Sequence, residues 1–308
     1  MQTQYYKPSG KSNALSFVIT LLVSVLAAAV LGFGLGATTL HLPFVYFTVI
    51  LVVLAAFGVG IVISFTGKMT KLMSTKAVVI IAFISSLVAV YANWVGYLYT
   101  FPDLNNPIVL NPVNQLDWLQ DFAKHGVWSV KSFTPKGGVL YAFWGVEALI
   151  IIVVPLLAAS SYLDTPFCEA CNRWIEEKTA ISNLEHVTDP EAVIADVERG
   201  NFDPIYKLKR NPTIEMQSTQ LELICCMSCK KEKYLNLVAI TVERKELNRV
   251  QSTIRSGTDS SMEKVEQNED KFIENLIIND AQHDKLKNHW SENIPDSLDE
   301  FNALAGKQ

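Results

Sequence analysis

Four apolar runs constrain this chain more than any other feature. Ala14 to Leu40, Pro43 to Phe65, Ala77 to Tyr99 and Val139 to Tyr162 contain one formal charge between them, Glu147. About 20 apolar residues in a helix cross a ~30 Å hydrocarbon core, so each run is long enough to span a membrane. A cleaved signal peptide has a shorter apolar core, of about 7–15 residues. Ala27 and Ala29 offer a small-x-small cleavage pattern, but the run continues well past them, and a retained helix is expected.

Charge divides the chain at the end of the fourth run. Up to Leu163 there are 8 Lys/Arg and 4 Asp/Glu; from Asp164 onward there are 18 and 27. A sparsely charged apolar half followed by a dense acidic half reads as a membrane domain plus a soluble one. Loop charge sets the orientation. Lys7 and Lys11 precede the first run, and Lys68, Lys71 and Lys76 follow the second, with no acid among them. The first-to-second connection has no Lys or Arg, and residues 100–138 balance Asp103, Asp117 and Asp121 against Lys124, Lys131 and Lys136. Both termini are therefore expected in the cytoplasm. Phe44, Tyr46, Phe47, Trp94, Tyr97, Tyr99, Tyr141, Phe143 and Trp144 fall at one outer level, where amphipathic rings settle.

Small residues recur within the spans. Gly32 and Gly36 form G-x-x-x-G, and Ala56 and Gly60 a second small-x-x-x-small pair. Such pairs let helices approach closely in lipid, either within the bundle or in a homo-oligomer. In the outer loop, Asn111 can cap a helix with Pro112 at its first position and Gly126 just past its end. Leu116, Leu119, Phe122 and Ala123 line one face of it, flanked by Trp118 and Trp128. A short amphipathic helix is expected there, on the membrane surface or across the bundle mouth. His125 ends it and reads as a surface or capping residue.

Glu147 lies eight residues into the fourth run, roughly 12 Å deep at 1.5 Å per residue, and Asn93 at a similar depth in the third is its expected partner. Ionisable residues at such depth face a bundle interior or a wet cavity. The pair reads either as a polar clamp that fixes helix register or as a proton or cation site. Pro155 is placed to kink the fourth run.

All five cysteines follow the spans. Cys168-Glu-Ala-Cys171 and Cys226-Met-Ser-Cys229 are 54 residues apart, with Cys225 left over. Two C-x-x-C knuckles supply the four thiolates of a tetrahedral structural zinc, although the usual gap is about 15–20 residues. An insertion accounts for the excess. Thr188-Asp189-Pro190-Glu191 starts a helix that ends at Gly200, and Asp203-Pro204 begins a turn. Thr219 to Cys226 and Tyr234 to Arg244 read as strands on either side of the second knuckle. Phe167 to Ile181 forms the other half of the ribbon, with Trp174 placed to cover the metal. A thiol-disulfide centre and unliganded reduced cysteines stay open as alternatives; a cytoplasmic location favours thiolates. The acidic balance and the short basic clusters Lys207-Lys209-Arg210 and Lys230-Lys231-Lys233 argue against nucleic acid and suit solvated faces or anionic lipid.

Gln251 to Ser261 has linker composition. Met262, Val265, Glu269, Phe272, Leu276 and Ile277, extended by Leu286 and Trp290, fall at helical spacing and predict an amphipathic helix for folding back on the ribbon or docking a partner. Loose order is expected from Asn293.

The residues Tyr6-Lys7-Pro8-Ser9-Gly10, Leu42-Pro43-Phe44-Val45-Tyr46, Gly126-Val127-Trp128-Ser129, Lys136-Gly137-Gly138, Trp144 with Glu147, and Pro166-Phe167-Cys168 resemble an uncharacterised group of bacterial multi-pass inner-membrane proteins. The resemblance covers about the first 175 residues. It implies topology and compartment and adds no mechanism. It leaves out the insertion from Thr188 to Asn211 and everything after Leu247.

The expected architecture is an α-helical membrane domain of four transmembrane helices (1–163) plus a small α+β cytoplasmic zinc-ribbon-like domain (164–249, with its insertion near 188–211) and a helical tail (250–308). The expected role is non-enzymatic: an inner-membrane protein anchoring a zinc-bound interaction or regulatory module, with a cytoplasmic protein partner. A proton or cation transporter or channel subunit using Glu147 and a membrane thiol oxidoreductase are the alternatives. No Ser/His/Asp grouping or phosphate-binding glycine loop points to hydrolysis or phosphoryl transfer.

Overall fold

The computed structural model describes residues 5–42, 45–101, 108–129, 133–211, 216–245 and 264–291. The linker Gln251 to Ser261, the end from Asn293, and Pro43, Phe44, Asp103 and Lys131 lie outside them, as does the side chain of Trp290. The chain divides into two compact units, residues 8–164 and a second that joins residues 1–7 to 165–308.

The first unit is helical. α1 (Ala14–Thr39), α2 (Val45–Thr70), α3 (Thr75–Thr100) and α5 (Gly138–Ala158) form a bundle; α4 (Pro112–His125) lies in the loop between α3 and α5. The four bundle helices are long and apolar enough to cross a membrane. α1 shows a burial pattern suited to lipid. α1 buries Thr20, Ser24, Ala28, Gly32, Leu35 and Gly36, while Leu15, Leu22, Leu26 and Val30 point outward. Small residues inside and large apolar residues outside suit packing in lipid, where close backbone approach replaces the hydrophobic effect. α1 and α3 run parallel, and their seam requires its glycines. A Cβ on Gly36 would stand 1.9 Å from the Asn93 carbonyl oxygen, and one on Gly96 2.1 Å from that of Phe33. Gly60 of α2 is similarly fitted to Ala158 and Pro155 of α5. Both small-residue pairs thus pack within the bundle.

α4 starts as its sequence dictates. The Asn111 side chain accepts from the Val113 amide at 2.9 Å, and the Gly126 amide closes the helix on the Phe122 carbonyl. Phe122 packs against Tyr97 and Phe101 at the end of α3. The inward face is turned from the one expected: Gln115, Phe122 and Ala123 are buried, whereas Leu116 is exposed. Gln115 is drawn in because its side-chain amide donates to the Val109 carbonyl at 2.8 Å. His125 bonds the Asp121 carbonyl one turn back, a capping position.

The second unit is built on an antiparallel sheet of order β3-β4-β5-β6, comprising β3 (Lys178–Leu184), β4 (Gln217–Cys225), β5 (Lys233–Lys245) and β6 (Lys264–Ile277). Strand alternation places Leu221 and Leu223 of β4 and Leu235 and Leu237 of β5 in one core. Val197 of α6 (Pro190–Glu198), Ile205 of α7 (Asp203–Tyr206) and Leu286 of α8 (Asp280–Ser291) join that core. The insertion thus supplies packing. Its first helix is capped as read, the Asp189 carboxylate accepting from the Ala192 amide.

β6 corrects the sequence reading. The stretch expected as an amphipathic helix from Met262 to Ile277 is a strand over its described part, paired with β5 from Tyr234↔Ile277 to Lys245↔Lys264. The sheet therefore does not stop at residue 249; β6 and α8 belong to the same fold. So do the first residues of the chain. Tyr5 forms an isolated antiparallel bridge with Leu276, and the Tyr6 amide donates to the Asn275 carbonyl at 2.8 Å, so both residues lie along the outer side of β6.

A polar row crosses the sheet. Ser182 donates to Gln220, Gln220 to Glu222, Asn236 to Glu222, and Asn236 accepts from the Asn275 amide at 2.6 Å. Lys178 pairs with the same buried Glu222 carboxylate. Burial alone would push this carboxyl up; the hydrogen bonds and charge from Lys178, with Asn236 and Gln220, outweigh it and hold the group below its ordinary 4.5.

Candidate metal centre

Each C-x-x-C pair sits in a knuckle shaped by its backbone. β1 (Phe167–Cys168) and β2 (Arg173–Trp174) pair as a minimal hairpin around Cys168 and Cys171, closed by the Ile175 amide on the Pro166 carbonyl. The second knuckle caps the β4–β5 hairpin, where the Cys226 amide donates to Glu232 and the Lys230 amide to Cys226. The two are alike in detail. The residue after each second cysteine has left-handed backbone, Asn172 at φ 51° and Lys230 at φ 55°. In each pair the first cysteine is buried and the second half-exposed. Arg173 joins the knuckles by donating to Ser228 at 3.2 Å.

The result is one site. The sulfur atoms of Cys168, Cys171, Cys226 and Cys229 all lie within 4.8 Å of one another, and those of Cys168 and Cys229 are 3.5 Å apart. Tetrahedral zinc–thiolate bonds of about 2.3 Å place ligand sulfurs roughly 3.8 Å apart, so the donor set fits such an ion. The four cysteines can hold a metal. Cys225 is outside the group. Trp174, expected over the metal, packs edge-on against Phe167, the neighbour of Cys168.

Electrostatics divide the sulfurs. Burial, first among its causes, pushes the Cys168 thiol up to about 12. Cys229 is lowered to about 7, chiefly by the backbone amide of Lys231. Cys171 is raised, its largest cause the bond shared with Cys229. Ile175, Ile224 and Tyr234 surround the sulfurs, with Tyr6 packed against the same cluster. The Tyr6-Lys7-Pro8-Ser9-Gly10 motif includes this tyrosine, but no local pattern ties it to the cysteines.

In the helical unit, Asn93 donates to the Glu147 carboxylate at 3.0 Å, joining α3 to α5 as expected. Trp94 and Trp144 pack edge to face beside them. One helical turn along, the bundle centre is lined by Leu31, Leu35, Val59 and Ile151 with Gly32 and Ala89.

Fold and site together define a bundle of four membrane-length helices joined to a sheet module with a tetracysteine centre. No family model, curated protein or solved structure matches the chain.

Proposed function

We propose that this protein anchors a cytoplasmic, zinc-bound regulatory or interaction module in the inner membrane. The observation that carries the reading is the convergence of four thiols from two knuckles on one point. A closed set of four sulfurs leaves no open position for substrate, which is the mark of a structural rather than a catalytic zinc. Zinc would hold the β1–β2 hairpin onto the sheet through Cys168, Cys171, Cys226 and Cys229. The sulfurs of Cys168 and Cys229, from different knuckles, are 3.5 Å apart, and all four lie within 4.8 Å of one another, which favours an ion shared by both knuckles.

The charge pattern supports the orientation. Tyr5 and Tyr6 pair with a strand that follows all four spans. The segment before α1 and the module then belong to one face of the membrane, as an even number of crossings requires. The lysines at 7, 11, 68, 71 and 76 favour the cytoplasmic face. Glu147 and Asn93 serve as a register clamp. The apolar and small residues lining the bundle centre beside them favour the clamp over a proton or cation path.

The full-length protein, purified in detergent under reducing conditions, tests the reading. Stoichiometric zinc with the absorption bands of a tetrahedral thiolate site after cobalt exchange supports it. Metal-free protein in which both cysteine knuckles stay folded after Cys171→Ser contradicts it.

A further inference from the structure

The residues ahead of α1 pack on both apolar clusters of the sheet unit. Tyr6 packs edge-on against Tyr234 at 5.6 Å and lies in the cluster formed by Cys168, Cys226, Ile175 and Ile224. Its amide is bonded to Asn275. Tyr5 packs on the separate leucine core and donates to Glu198 at 3.0 Å. Four residues after Tyr6 the chain is held again, within the helical unit, by the Gly10 amide on the Met73 carbonyl and the Met73 amide on that of Lys11. Met73 lies in the turn between α2 and α3.

We infer that residues 5 and 6 form a metal-dependent clasp, docked while the cysteine centre is closed and released at Tyr6 when the metal leaves. The inference rests on the reading that the four cysteines bind a metal. Its physical basis is what Tyr6 packs on. β1 and β2 are two residues each, too short to hold their place without the ion, and binding energy at such a site is folding energy. Losing the ion loosens one wall of the Tyr6 pocket. The leucine core does not use the cysteines and keeps the sheet folded. Only Lys7, Pro8 and Ser9 separate Tyr6 from the anchored Gly10, so release changes the tether that leads into α1. By linkage, whatever the metal adds to docking, docking adds to metal affinity.

Hydrogen exchange of the full-length protein in detergent, with metal content measured on the same sample, tests the clasp. Chelation should accelerate exchange at the Tyr6 amide at least tenfold and leave the Leu223 and Leu235 amides protected. Tyr6→Ala should weaken zinc binding by a similar factor. Unchanged Tyr6 exchange after proven loss of the metal overturns the clasp and leaves the metal reading intact; so does loss of protection across the whole sheet. A folded protein that never binds metal overturns the proposed function itself.

Discussion

The sulfur atoms of Cys168 and Cys229 stand 3.5 Å apart although 61 positions separate them in the chain. The intervening chain folds into β3, α6, α7 and β4, which carry the second knuckle back to the first. Removing one ligand should therefore undo the knuckles without undoing the bundle. Cys171→Ser is expected to weaken zinc binding by more than about 100-fold, beyond the usual cost of losing a supporting residue. Chelator competition measures the affinity; unchanged helical circular dichroism of the membrane-length helices is expected alongside.

Glu222 makes the module acid-sensitive. Its folded-state carboxyl lies below the ordinary 4.5, so its stabilising contribution is complete above that value and is lost as pH falls through the lower folded one. Glu222→Gln should cost about 1–3 kcal/mol near neutrality, because Lys178 and Asn236 lose a charged partner. It should also flatten the acid limb of the stability curve. Denaturant titrations from pH 7 down to about 3 with and without the substitution read both effects.

The α1–α3 seam distinguishes one glycine from its neighbour. Gly36→Ala forces a methyl into the Asn93 backbone, whereas a Cβ on Gly34 meets nothing within 4 Å. The first should destabilise the bundle by about 1–3 kcal/mol through overpacking and the second should be near neutral. Thermal unfolding in one detergent compares them; equal effects would remove the seam as the explanation.

If Asn93 and Glu147 are a clamp, their effects must be coupled. Asn93→Leu leaves the carboxylate without its 3.0 Å partner. The double variant with Glu147→Leu should recover part of the loss, with a coupling of roughly 0.6–1.7 kcal/mol, as for other bonds between membrane helices. Proteoliposomes carrying Glu147→Gln should show the same cation leak as the parent. Flux abolished by this substitution would instead favour transport.

Legibility in the sequence followed the range of the contacts. The four spans and the caps at Asn111 and Asp189 are local, and they fold where the residues place them. β6 misleads for a definable reason. The helical reading rests on Phe272 and Leu276, four apart; in the strand the core pair is Ile273 and Leu276, three apart, a spacing also natural to a helix. In the strand it arises from a bulge: Leu237 pairs with Ile273 and Leu235 with Leu276, leaving one extra residue on β6, and Asn275 sits there at φ 53°. A bulge mimics helical spacing, and only β5's free edge resolves the ambiguity. Tyr5 and Tyr6 meet β6 at Leu276 and Asn275, about 270 positions along the chain, which no local pattern reports. The cysteines were legible as two knuckles; their meeting depends on the sheet between them.

The central claim is one metal held by four thiols. Zinc content and thiol reactivity of the reduced, full-length protein, measured on one sample before and after denaturation, test it most directly. The account predicts one zinc per chain, with Cys225 alone reacting in the native state and all five cysteines after denaturation. No bound metal, with five reactive thiols or a disulfide within a C-x-x-C pair in the native protein, would contradict it.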